Sequence, residues 1–284
     1  MIRFAVAVPV MNQPEITQKF LDQFNATASQ NRPMLLVIDN GSTPPVRDWL
    51  LGLMEGDFVI RNEDNVGVMP ALNQAYTFLR QQGFDYIFYT HNDVMLHEKD
   101  WDEKIRRIID WENTKYPDKP VGVAGFYGAK GIGAYGIYQA PYQQQQMIRI
   151  QNVSNCTRMD PVHGYRPILE GEVEEVAVMD GFSLIVSVDL LNKTDGFDRL
   201  YPVHHMYDND ICLEAWDKGY RNIVMAMDAY HLGGKTDVGE NWAEPFGKTK
   251  QEIHTEAHPV FYEKWHPRNV ESGRHKVTLP FRVP

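Results

Sequence analysis

The chain has 284 residues, 43% of them hydrophobic and 23% charged, which excludes extensive disorder and fits one large α/β domain or two small ones. Its formal net charge of −10 argues against a large non-specific nucleic-acid surface. Two cysteines, Cys156 and Cys212, are too few for a disulfide framework, and no segment is long and apolar enough to span a bilayer, so the expected location is the cytoplasm.

The first elements read cleanly in chain order. "RFAVAVPV" is a continuous apolar, β-branched run stopped by Pro and Asn, which predicts a buried strand rather than a targeting segment. "QPEITQKFLDQFNATA" sets Ile16, Phe20, Leu21 and Phe24 on one helical face, with Pro14 at the start. "PMLLVIDNGST" is a second buried strand, followed by a short helix carrying Trp49, Leu50 and Leu53, and "DFVIRNE" is a third strand. "PALNQAYTFLRQQG" is the next helix, bracketed by Pro70 and Gly83, and "FDYIFYT" is the fourth strand. Strict alternation to about residue 95 predicts a parallel, doubly wound sheet.

In such sheets ligands bind beyond the carboxyl ends of the strands. Three polar stretches fall there: Asp39-Asn40-Gly41-Ser42, Asn62 to Gly67, and His91-Asn92-Asp93. The last is the most demanding, because Asp93 is followed at once by apolar residues and must be compensated.

The second half is less regular. Residues 126–150 are rich in Gly, Tyr and Gln without a clear period, and read as a long binding loop or lid. "VEEVAVMDGFSLIVSVDLL" resumes a strand, "DNDICLEAWDKGY" is helical with Gly219 at its end, and "RNIVMAM" is a last core strand. "HTEAH" places His254 and His258 at helical spacing without the Glu of a zinc-protease motif, and reads as structural. From Lys264 onward five basic residues face one acid, which predicts a docked, solvated tail or a contact with an anionic partner.

The ordered series "VIDNGST", "NEDNVGVMPALNQAY", "THNDVM", "MDGFSLIVSVDLLNKTDGFDRLY", "YDNDICLEAWDKGY" and "AYHLGG" resembles the family 2 glycosyltransferases of the GT-A fold, from about residue 4 to 234. The resemblance implies an α/β fold with a Rossmann-like, mostly parallel sheet and an irregular acceptor-side half. It implies a domain over 1–240, split into a nucleotide-binding half (1–95) and a metal and acceptor half (96–240), with 241–284 as a packed extension.

It also assigns roles. Asp39 meets the nucleobase, as an acceptor for a base N–H, although an Asx-turn closing the strand explains the same residue. Pro9, Asn65, Gly67, Asn73, His91 and Asn92 line the donor cleft. Asp93 is the metal ligand of the family's Asp-x-Asp motif, here written His-Asn-Asp, and His231 is a second ligand, for manganese or magnesium. Asp208 is the general base of an inverting transfer, with Tyr207 standing where the family carries Glu. Asp180, Gly181 and Asp210 belong to the sugar and acceptor pocket; beside what the resemblance implies, His204 and His205 join that pocket by their place just ahead of Asp208, and Trp242 either stacks on a sugar face there or simply packs. "DND" at 208–210 competes as a literal Asp-x-Asp, and helix capping is the alternative for both its acids.

The implied donor is a nucleotide sugar, with uridine diphosphate first among the nucleotides. The acceptor stays open between a glycan, a lipid-linked sugar, a protein side chain and a modified nucleic-acid base, the last disfavoured by the acidic total. The rival readings are a nucleotidyltransferase, which normally carries a Gly-rich basic loop where this chain has "PVMNQPEIT", and a non-catalytic nucleotide- or carbohydrate-binding module.

Overall fold

Apolar runs of six or seven residues form fully buried strands at the centre of the molecule. The computed structural model describes residues 2–53, 57–135, 146–154, 173–201, 203–233 and 241–284. Strand β1 (Phe4–Val10) is followed by helix α1 (Pro14–Thr27), β2 (Leu35–Asn40), α2 (Pro44–Leu53), β3 (Phe58–Asn62), α3 (Val68–Leu79) and β4 (Tyr86–Thr90). The four strands are parallel in the order β3-β2-β1-β4, as the alternation predicts. Side-chain alternation along β1 feeds two cores. Ala5 and Ala7 pack towards α3, whereas Phe4, Val6 and Val8 face the aromatic set of Phe20, Phe24 and Trp101. Trp101 is fully buried against Phe4, Phe24 and Phe88, at ring-centroid distances of 5.5 to 6.1 Å.

The chain continues through β5 (Val94–Leu96), α4 (Trp101–Lys115), β6 (Val121–Gly125), β7 (Tyr127–Tyr135) and β8 (Gln146–Ser154). Next come β9 (Val173–Glu175), β10 (Val178–Met179), β11 (Ser183–Ser187), α5 (Val188–Thr194), α6 (Tyr207–Asp217), β12 (Arg221–Met225) and β13 (Ala229–His231). Helices α7 (Lys250–Trp265) and α8 (Pro267–Glu271) and strand β14 (Phe281–Arg282) complete the fold. The central sheet has eight strands in the order β3-β2-β1-β4-β11-β6-β12-β9, with β11 and β9 running against their neighbours.

Two sequence expectations are corrected. Residues 126–150 are not a loop where they are described: β7 and β8 pair antiparallel from Tyr127↔Ser154 to Tyr135↔Gln146, while 136–145 lie outside the described residues. The glycines there hide the strand because they admit neighbouring backbone: a Cβ on Gly128 would sit 2.4 Å from the carbonyl oxygen of Val178. The segment 173–191 is not one strand but β9, β10, β11 and the start of α5, broken at the Asp180 turn. Helix α4, unanticipated because most of its surface is charged, buries Trp101, Ile105, Ile108 and Ile109.

The C-terminal segment is docked on the second half. Strand β14 pairs with β7, and Trp265 is fully buried with its indole N–H donating to Asp210 at 2.8 Å. Lys264, counted in the basic tail, forms ion pairs with Asp198, Asp210 and Glu214 at 2.8 Å each. No helix among the described residues is long and apolar enough to cross a membrane.

Candidate active site

The end of β4 explains how Asp93 tolerates its apolar surroundings. The chain turns through His91 and Asn92 into β5, and β13 lies antiparallel beside it with His231 opposite Val94. The Leu232 N–H donates to the Asp93 carbonyl at 2.9 Å, which fixes the two segments together. His231 Nε2 thereby lies 3.3 Å from Asp93 Oδ1, and His91 Nδ1 lies 3.9 Å from the same oxygen. One ligand atom from each of the three falls within 4.8 Å of the others. The Phe182 ring stacks on His231 at 4.5 Å and 16°, holding the imidazole plane. Two imidazoles and a carboxylate form a mixed N/O donor set that fits a divalent transition metal, manganese before magnesium, because magnesium demands oxygen. His91, assigned by the resemblance to the donor cleft, thus belongs to the same candidate donor set.

The β2 and β3 ends form an amide mesh. Asn40 Nδ2 donates to Asn65 Oδ1 at 2.9 Å, Asn62 Nδ2 donates to Asn40 Oδ1 at 3.1 Å, and Asn65 Nδ2 donates to the Trp242 carbonyl at 3.1 Å. Asn65 Oδ1 also accepts the Gly67 N–H at 2.9 Å, and Gly67 has φ +91°, a conformation that excludes ordinary side chains. Asp39 is buried and already engaged: it accepts from Ser42 N–H at 3.1 Å and from Arg61 at 2.8 Å. Asn92 turns its amide to Thr17 on α1, at 2.9 Å.

A carboxylate pair stands across the cavity. Asp208, at the start of α6, accepts the Gly181 N–H at 3.0 Å and Arg149 Nη2 at 2.9 Å through Oδ2, and both the backbone and side-chain N–H of Asn209 at 2.8 Å through Oδ1. Asp180 takes Arg149 Nη1 at 2.6 Å. A Cβ on Gly181 would lie 2.5 Å from the Tyr207 hydroxyl, so only glycine brings that N–H to Asp208. Burial raises the pKa of Asp208, with Arg149 opposing and Asp180 adding to the rise.

A histidine wall closes the third side. His204 and Trp242 are 5.2 Å apart, His205 and His254 meet edge to face at 4.5 Å, and His254 approaches His258 with Nε2 atoms 3.1 Å apart. His258 Nδ1 accepts the Met147 N–H at 2.9 Å. Burial, assisted by His254, lowers the His258 pKa to about 4, and burial with neighbouring imidazoles holds His204 well below the ordinary histidine value.

These groups share one cavity of about 1090 Å³, enough for a nucleotide sugar with an acceptor group beside it. Pro9, Asn65, Gly67, His91, Asn92 and Asp93 line one part of it; Asp180, Gly181, His205, Asp208, His231 and Trp242 line the rest. Three candidates lie outside its wall. Asp39 is paired with Arg61, Asn73 clamps Phe197 through its N–H and carbonyl at 2.8 and 3.0 Å, and Asp210 faces Tyr201, Lys264 and Trp265. Sequence reasoning missed Arg149 and His254 as cavity residues. The signal for Arg149 was a lone basic residue two positions from Met147, on the same side of a strand.

A mostly parallel sheet, a cavity at its carboxyl edge and a His-Asp-His cluster at that rim define an α/β architecture with a ligand-sized, metal-competent cleft. The model of the family described as "Glycosyltransferase like family" matches residues 58–245, and the chain belongs to this family of family 2-like, GT-A glycosyltransferases. Solved structures agree on the fold. GalNAc-T7 with UDP, GalNAc and Mn2+ is 12% identical with a TM-score of 0.52, covering 82% of this chain and 44% of that one, so the chain spans less than half its length. S. aureus TarS 1-349 in complex with UDP-GlcNAc is 15% identical, TM-score 0.55, covering 92% of this chain and 71% of that one. The mannosyltransferase PcManGT from Pyrobaculum calidifontis, in complex with GDP-Man and Mn2+, is 15% identical, TM-score 0.50, covering 95% and 73%. No curated protein sequence matches the chain.

Proposed function

We propose that this glycosyltransferase moves a sugar from a nucleoside diphosphate, uridine diphosphate in the first instance, to an acceptor hydroxyl with inversion, using manganese. The observation that carries the reading is that the His91-Asp93-His231 cluster and Asp208 open into the same cavity. Complexes of similar folds with UDP, UDP-GlcNAc and Mn2+ support the donor and the metal.

Asp93, His231 and His91 would hold the cation, whose charge offsets that growing on the leaving diphosphate. The Asn65–Gly67 turn, fixed by Asn40 and Asn62, orients the nucleotide side of the donor, and Pro9 and His91 wall the cleft. Asp208 accepts the acceptor's hydroxyl proton as that oxygen bonds to the anomeric carbon and the carbon–oxygen bond to the diphosphate breaks, its electron pair leaving with the phosphate. Because Asn209 supplies two N–H groups to one Asp208 oxygen, its side-chain amide is the redundant donor that an acceptor hydroxyl replaces. Asp180, His205 and Trp242 surround the acceptor, and Trp242 offers a face for a sugar ring. Residues 241–284 form an extension whose Trp242 and α7 complete the acceptor side of a domain spanning 1–240.

The deciding experiment is a panel of nucleotide sugars with and without Mn2+, followed by nucleotide release and by NMR of the product anomer. Manganese-dependent release of UDP and an inverted product are expected. A retained configuration rejects Asp208 as base, and release unaffected by chelator rejects the cation site.

A further inference from the structure

Arg149 projects from β8, an element no sequence motif marked, and its guanidinium spans the cavity floor. Nη1 holds Asp180 at 2.6 Å, Nη2 holds Asp208 at 2.9 Å and the Met179 carbonyl at 3.0 Å, and Nε donates to Asn209 at 3.3 Å. Four of the five guanidinium N–H groups are thus directed at α6, at the end of β10 and at the turn between β10 and β11. We propose that Arg149 is a positioning residue of the transfer reaction, which keeps Asp208 ionised beside Asp180 and fixes the direction of its carboxylate. This inference rests on the assignment of Asp208 as base.

The argument is electrostatic. Asp180 and Asp208 share one arginine, so two negative charges meet one positive charge in a partly buried site, and without the guanidinium the two carboxylates cannot both stay ionised cheaply. The titratable groups around the pair are Arg149 from β8, Tyr127 from β7, Asp180 in the β10–β11 turn, His204 ahead of α6, and Tyr207 and Cys212 on α6. Burial holds His204 neutral and raises Tyr207 and Cys212 far above neutral pH, so among the described groups Arg149 supplies the positive charge. Arginine suits the place, because its planar fork reaches both carboxylates at once and it stays protonated. The arrangement also makes the β7–β8 pair part of the reaction centre rather than a cover.

The test needs no acceptor. Aspartate 13Cγ NMR titrations are run on the wild type, Arg149→Met, the milder Arg149→Gln and Arg149→Lys, with Asp208→Asn and Asp180→Asn assigning the resonances. In the Met and Gln variants one carboxylate of the pair should take up its proton about 1–3 pH units higher than in the wild type, and Lys should recover part of the difference. Identical midpoints in wild type and variants would overturn the proposal. Release of UDP from UDP-GlcNAc with Mn2+ and water as acceptor provides the second readout. Its acid limb should move to higher pH in Arg149→Gln, whereas a purely structural role lowers release equally at every pH and so rejects the inference. Full release by Asp208→Asn would instead sink the base assignment, a result separable from the NMR midpoints.

Discussion

The two halves of the cavity are built from different chemistry. The rim contributed by β2, β3 and α3 is a mesh of neutral amides, in which Asn40, Asn62, Asn65 and Gln74 satisfy one another. The rim contributed by β5, β8, α6, β13 and α7 concentrates carboxylates, imidazoles and Arg149. Neutral mutual hydrogen bonds give a rigid, pH-indifferent edge that holds shape. Charged groups drawn from segments over a hundred residues apart each depend on a partner from another element, and on the proposed function they carry the chemistry.

Mutation should separate the two. The largest effect is expected for Asp208→Asn, which should reduce nucleotide release by about 10²–10⁴-fold while calorimetry finds UDP binding with Mn2+ nearly intact. Asp93→Ala or His231→Ala should act the other way. Binding of UDP in the presence of Mn2+ should weaken by more than the ~10–100-fold typical of outer-sphere partners, with UDP binding in EDTA unchanged. An equal loss with and without metal would contradict the cluster's role.

The charged half also carries stability. Lys264→Met leaves Asp210, buried against Trp265 and Tyr201, without its cation, and should cost about 3–5 kcal/mol in urea unfolding. Removing the Asn65 side chain breaks three hydrogen bonds of the neutral edge and should cost about 1–3 kcal/mol, with no change in the pH profile of nucleotide release. A shifted profile in Asn65→Ala would erase the distinction drawn between the halves.

The smallest effect concerns acid. His258 binds its proton at about 4 in the fold against 6.5 for an ordinary histidine, so the unfolded chain binds more protons between those values. Its contribution is therefore present above 6.5 and is lost as pH falls towards about 4. The melting temperature of the wild type should drop over that window by more than that of His258→Gln, whose side chain does not titrate.

Legibility from sequence follows the same division. Strands β1 to β4 and helices α1 to α3 were readable because each buries its own apolar period locally. The rim residues after β2, β3 and β4 followed from strand polarity, and Asp93, His231 and Asp208 from ordered motifs. The β7–β8 pair was not readable, since glycines of β7 answer to the backbone of β10 and β14 rather than to a period of their own. Asp39, Asn73 and Asp210 lie outside the cavity wall, their side chains engaged by Arg61, Phe197 and Lys264, and spacing along the chain does not show those partners.

By itself, then, the sequence determined the parallel sheet, the polar edge at the carboxyl ends of its strands and the chemical types gathered there, because local periodicity and strand direction are short-range properties. Only the tertiary structure decided which of those side chains face one another. It brought His231 to Asp93 across the β5–β13 ribbon, laid Arg149 between two aspartates, and drew α7 against the cavity. Such contacts depend on long-range pairing and on which donors a buried charge finds, and neither is written in spacing along the chain.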